Sequence, residues 1–125
     1  MTPQSTSRNP SGSPFQIEVV RRGAAAVVTL VGSCEMLEAE RMMESMVELA
    51  DESTQVIVID MSRLDFIEST GLGAIIAGHL RLRHHQGEMR LVSPSTPIMR
   101  LLELTRLTQL FHVYPSVDAA VAGAR

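Results

Sequence analysis

Residues 56–73 read VIVIDMSRLDFIESTGLG, and the change of pattern inside this stretch decides the fold. Val56 to Ile59 is an unbroken apolar run, closed by Asp60. Such a run leaves neither face of a strand polar, so it predicts a central strand covered on both sides. From Leu72 onward the period becomes helical. Leu72, Ile75, Ile76 and His79 share one face of a long helix reaching about His85. Gly87 stands where a C′ glycine ends such a helix.

Upstream, Phe15, Ile17 and Val19 alternate in an edge strand to Arg21, Arg22-Gly23 signals a turn, and residues 25–31 make a second strand. Residues 35–50 return to helical period, with Ala39, Met42, Met43, Met46 and Ala50 on the core face and Glu38, Glu40, Arg41, Glu44 and Glu48 on the rest. Glu35 lies in the first turn, where a carboxylate complements the helix dipole. Downstream, residues 88–92 read as a strand. Thr96 and Pro97 then supply an N-cap and a proline at N1, with Ile98, Leu101 and Leu102 turned inward. His112–Tyr114 is a last strand, and Ser116 caps a terminal Ala/Val helix. The order β-β-α-β-α-β-α-β-α predicts an α/β fold: a mostly parallel sheet of about five strands, opened by a hairpin and packed against about four helices. One domain is expected over residues 15–125, behind a flexible tail rich in Ser, Pro, Thr, Asn and Gly over residues 1–14.

Composition narrows the function. With 125 residues there is room for one substantial core, and with 3% aromatics and no Trp that core must be aliphatic. A net charge of −3 argues against nucleic acid, which requires a basic face. Nothing approaches a membrane span of ~20 apolar residues, and the tail lacks the apolar stretch of a signal peptide. A single cysteine, Cys34, forms no internal disulfide, which suits the cytoplasm. Beside Glu35 its thiolate is disfavoured.

In open α/β sheets, ligands meet the carboxyl ends of strands and the helix starts that follow. The segment Asp65–Gly73 occupies such a place. Ser69 or Thr70 is its natural N-cap. Gly71, Gly73 and Gly78 each cost the helix ~1 kcal/mol relative to Ala. That expense makes sense where something approaches the backbone closely, either the sheet beneath or a partner above.

Enzymatic constellations are wanting. Position 67 is Ile, so the Gly-x-Ser-x-Gly elbow of a hydrolase is absent, and position 76 is Ile, which breaks a dinucleotide fingerprint. There is no P-loop. Adjacent His84 and His85 do not share a helix face, so no metal site is expected, and no cofactor. His79, on the apolar stripe, reads as a satisfied core histidine.

The ESTGLG segment, the GSCE turn at residues 32–35 and RLVSPSTPIMRLLELTRL at residues 90–107 together resemble the STAS domain. In order and spacing the likeness covers roughly residues 15–122. It is strongest to the stand-alone anti-sigma factor antagonists of bacterial sporulation and stress pathways. That resemblance implies a non-enzymatic, cytoplasmic binding module. It would bind an anti-sigma factor that is also a serine kinase, indirectly freeing a sigma factor, with no nucleic acid bound and no membrane insertion. The first serine of the family motif Asp-Ser-Ser/Thr-Gly-hydrophobic-Gly falls on Ser69, which marks it as the phosphoacceptor. Glu35, Glu68, Ser69, Thr70, Gly71, Leu72 and Gly73 become the expected partner surface. Both acidic landmarks, Glu35 and Glu68, are one methylene longer than the family's aspartates, and Ser33 replaces a glutamate. This implies a divergent partner rather than an ordinary kinase of the family. STAS domains also serve as subunits of membrane lipid transporters and of stress-sensing assemblies, the alternative role for this fold.

Overall fold

The computed structural model describes residues 15–50 and 54–122. The tail expected over residues 1–14 lies outside them, as do residues 123–125. Five strands form one sheet in sequential order: β1 (Gln16–Arg22), β2 (Ala25–Cys34), β3 (Val56–Ile67), β4 (Glu88–Val92) and β5 (His112–Tyr114). The pair β1/β2 is antiparallel, and every later pairing is parallel, so the sheet is mixed. The hairpin turns through Gly23, whose φ of +63° suits a residue without Cβ.

Four α-helices connect or follow the strands: α1 (Met36–Ala50), α2 (Ser69–Arg83), α3 (Thr96–Leu104) and α4 (Val117–Val121). From β2 to β5 each strand steps one place in the same direction. Right-handed crossovers therefore carry α1, α2 and α3 to the same face. Their core contains Leu30, Met42, Met46, Ile57, Ile59, Ile75 and Leu82. The short α4 covers part of the opposite face over Val56, Val58 and Val92. Val56–Ile59 is thus buried from both sides, as the unbroken run predicted. Each fully buried isoleucine contributes roughly 2–3 kcal/mol.

Two strands outrun their expected ends. β2 continues through Gly32-Ser33-Cys34, which reads as a turn in sequence, and β3 continues through Met61 to Ile67. Each extension gives the other a ladder, with Gly32 opposite Leu64 and Cys34 opposite Ile67. Register shifts at Thr29/Val31 and Gly32/Ser33 break the two-residue alternation, so Met61, Leu64 and Ile67 point inward at intervals of three. That spacing hides the strand from a period-two reading.

Helix boundaries differ in instructive ways. Ser95, not Thr96, is the N-cap of α3, one residue earlier than expected. At the end of α2 the left-handed position falls on Gln86, with φ of +63°, rather than on Gly87. Gly87 is needed for space: a Cβ there would lie 2.5 Å from the carbonyl oxygen of Gln55. Ser116 does cap α4, its Oγ accepting from the Ala119 N–H at 3.1 Å. No helix among the described residues is long and apolar enough to cross a membrane.

Candidate functional site

The long strands β2 and β3 end side by side and deliver the starts of α1 and α2 to one edge of the sheet. The Glu68 N–H donates to the Cys34 carbonyl at 3.0 Å, tying the two strand ends together. Glu68 is the N-cap of α2, with extended backbone and no side-chain capping bond. Neither Ser69 nor Thr70 takes that role. The first helical bonds run from the Gly71 and Leu72 N–H groups to the Glu68 carbonyl, at 2.9 and 3.1 Å. Ser69 is therefore the first residue of the helix, and its hydroxyl is not spent on capping. The amides of Ser69 and Thr70 precede any carbonyl the helix offers them. An anion on Ser69 would meet those amides and the positive end of the helix dipole.

The seven residues expected to meet a partner fall into two groups. Glu35, Ser69, Thr70 and Gly73 are exposed, and Glu68 is half-buried. Glu35 precedes α1, and its carbonyl accepts from the Glu38 and Ala39 N–H groups. Gly71 and Leu72 are buried and face the sheet. A Cβ on Gly71 would lie 2.6 Å from Ile67 Cγ1 and 3.0 Å from Cys34 Sγ. For Gly71, close approach therefore means the sheet beneath, whereas Gly78 lies against both α1 at Met46 and β4 at Met89. Gly73 differs: nothing lies within 4 Å of its Cβ position.

Sequence reading missed the exposed apolar residues at the start of α1 and the end of β3. Met36 and Leu37 at the start of α1 are 63% and 68% exposed, and Phe66 at the end of β3 is 47% exposed. On a helical wheel Met36 falls with Ala39 and Met43 on the expected core stripe, yet at the start of the helix it is left exposed. The bulged end of β3 turns Phe66 outward, where the period of the preceding strand gives no signal. Between α1 and α2 runs an open trough that begins beside Thr70.

Cys34 lies beneath this surface, fully buried and free. Burial pushes its thiol up to about 12, helped by the carboxylates of Glu38 and Glu68 and opposed by Arg41. The direction matches the sequence expectation, but Glu35 is not the cause. At the far end of α2, His79 is the expected core histidine. Its Nδ1 accepts from the Met89 N–H at 3.2 Å, and its ring lies 4.9 Å from that of Phe111.

The chain, with this fold and this surface, can be set beside known proteins. The STAS domain profile matches residues 16–120. This chain belongs to the STAS domain family. Among its relatives, the anti-sigma F factor antagonist of Paenibacillus polymyxa is 26% identical over 101 residues, covering 80% of this chain and 86% of that protein. The anti-sigma-B factor antagonist of Listeria monocytogenes is 26% identical over 100 residues, covering 79% and 88%. The crystal structure of an anti-sigma factor antagonist from Mycobacterium paratuberculosis superposes with a TM-score of 0.80 at 26% identity, covering 89% of this STAS domain and 94% of that chain.

Proposed function

We propose that the chain is an anti-sigma factor antagonist, a binding module without catalysis of its own, whose attachment to an anti-sigma factor is switched off by phosphorylation of Ser69. The observation that carries this reading is an exposed, non-capping serine at the first position of α2, three residues after exposed Phe66 and next to Thr70, which lines a trough with exposed Met36. The relatives that bear the antagonist name align with most of this chain. The partner is a serine kinase that brings its own ATP. The Ser69 oxygen takes the γ-phosphoryl group, ADP leaves, and the hydroxyl proton passes to a base on the kinase. All of this takes place in the cytoplasm, where sigma factors act.

Phosphate adds a charge of about −1.5 to −2. The helix start tolerates it, so the fold survives modification. The docking surface does not, because a dianion beside Glu68 must be desolvated against apolar groups. A hundredfold loss of affinity needs only ~2.7 kcal/mol. The test mixes the purified chain with each anti-sigma kinase of the source organism. Mass spectrometry after ATP addition is expected to place phosphate on Ser69. Calorimetry is expected to show Ser69→Ala binding like the wild type and Ser69→Glu binding about a hundredfold more weakly. Equal affinity of Ser69→Ala and Ser69→Glu would remove the switch.

A further inference from the structure

The trough between α1 and α2 extends well beyond Ser69. It encloses about 570 Å³. Met36, Glu40, Met43 and Glu44 form its α1 wall, and Thr70 and Ala74 form its α2 wall. The α1 residues recur at i, i+4, i+7 and i+8, a single helix face. The methionines of α1 therefore divide their tasks: Met42 and Met46 fill the core, exposed Met36 lines the trough, and half-buried Met43 packs against the core while also lining the trough. Methionine suits an adaptable apolar contact.

Charge identifies the occupant. Among the described residues, the ionisable groups lining the trough are the Glu40 and Glu44 carboxylates. Arg41, the single cation of α1, reaches the other way: its guanidinium donates to the Phe15 carbonyl at 3.4 Å and sits 5.9 Å from the Phe15 ring. A second copy of this chain would bring the same carboxylates against these, and like charges facing each other are disfavoured. The shape also favours close contact. Gly73 lies one turn from Thr70 with open space above it, and no packing within the fold requires a glycine there. Thr70 and Ala74 keep the α2 wall low, and Gly73, next to Ala74 in the chain, adds no side chain beside it, so a partner backbone can approach.

We propose that the trough seats a helix of the anti-sigma factor, apolar along its inner face and carrying Lys or Arg on the flank that meets Glu40 and Glu44. This rests on the reading of the chain as an anti-sigma factor antagonist and names the chemistry of the partner. An apolar helix laid in a groove is a common mode of recognition. The cationic flank meets α1 one to two turns beyond the phosphoacceptor end. Electrostatic attraction and the phosphate block thus act at different places on the same surface.

The experiment is calorimetry of the anti-sigma kinase that binds the wild-type chain, against the Glu40→Lys/Glu44→Lys double variant and against Gly73→Leu, at low and high salt. Both variants alter exposed positions, and unchanged circular dichroism and melting temperature verify their folds. The double variant is expected to lose about tenfold or more in affinity and most of the salt dependence. Gly73→Leu is expected to lose about tenfold at either salt concentration. Exchanging Lys or Arg for Glu on the partner helix is expected to restore binding to the double variant. Wild-type affinity in both variants, with Ser69→Glu still defective, would overturn the trough and leave the switch standing. Weak binding by both variants, with Ser69→Glu unaffected, would support the trough and remove the switch. Self-association lost in the double variant would make a second copy the occupant and overturn the proposal. Failure of every anti-sigma kinase to bind the wild type would overturn both readings.

Discussion

The two ends of α2 are built to opposite specifications. At its start, Ser69, Thr70 and Gly73 are exposed, the N-cap Glu68 makes no side-chain bond, and an apolar trough lies open beside them. At its far end, Gly78 presses on Met46 and Met89, His79 receives a backbone N–H from β4, and Gly87 admits the Gln55 carbonyl. One helix therefore has an anchored end over the amino ends of β3 and β4 and a presenting end over the carboxyl ends of β2 and β3. Stability and partner binding can then vary separately, provided each change is made at the right end.

The largest effect should come from closing the space at the anchored end. Gly87→Ala places a carbon 2.5 Å from a backbone oxygen, and no rotamer change relieves such a clash. It should cost roughly 3 kcal/mol, read as a lower denaturant midpoint. Gly71→Ala tests the boundary between the two ends, because this glycine is at the presenting end yet packs inward. Its Cβ would strike Ile67 Cγ1, partly offset by better helix propensity, for a net loss of about 1–2 kcal/mol. A Gly71→Ala protein as stable as the wild type would show that the start of α2 floats free of the sheet, and the contrast would fail.

His79 gives a smaller effect, confined to acid. Burial lowers its pKa first, with the Arg83 charge adding to that and Glu88 opposing. Its Nδ1 accepts the Met89 N–H, so protonation removes that bond as well as burying a charge. The unfolded chain, with histidine near 6.5, then binds more protons than the folded chain. Stability is full above that value and is lost as the pH falls below it. Denaturation midpoints taken through this range should decline for the wild type and stay flatter in His79→Gln, whose amide oxygen can still accept from Met89. Ser69→Glu binding, if the presenting end is independent, should not follow the same titration.

Much of this contrast is legible in the chain itself. The run Val56–Ile59 announces a strand buried on both faces, and Leu72, Ile75 and His79 announce the inner face of α2. The alternation of strands and helices, opened by a hairpin, is legible in the same way. Less legible is anything that depends on a neighbour. β3 continues to Ile67 because β2 is there to pair with it, and the register shifts conceal the alternation that would have revealed it. The glycines carry the same ambiguity. Gly71 and Gly73 look alike in sequence, both costly in a helix, and only the distances to Ile67 and Cys34 separate them. Cap placement shows this on the smallest scale: Ser69 has a better capping side chain than Glu68, yet the bond from Glu68 N–H to Cys34 holds the extended residue at 68.

The smallest effect on stability is the sharpest test of that separation. Gly73→Ala adds a methyl group where nothing lies within 4 Å. With no clash to offset it, the gain in helix propensity should appear almost whole, about 0.5–1 kcal/mol of added stability and a slightly higher melting temperature. Gly71→Ala, two residues earlier in the same helix, should move the other way. Opposite signs at neighbouring glycines are hard to obtain from any general feature of α2, such as its length or its dipole. They follow only if one glycine serves the sheet and the other is kept for something outside the fold. A folded chain that is more stable without Gly73 shows that the residue is not there for stability.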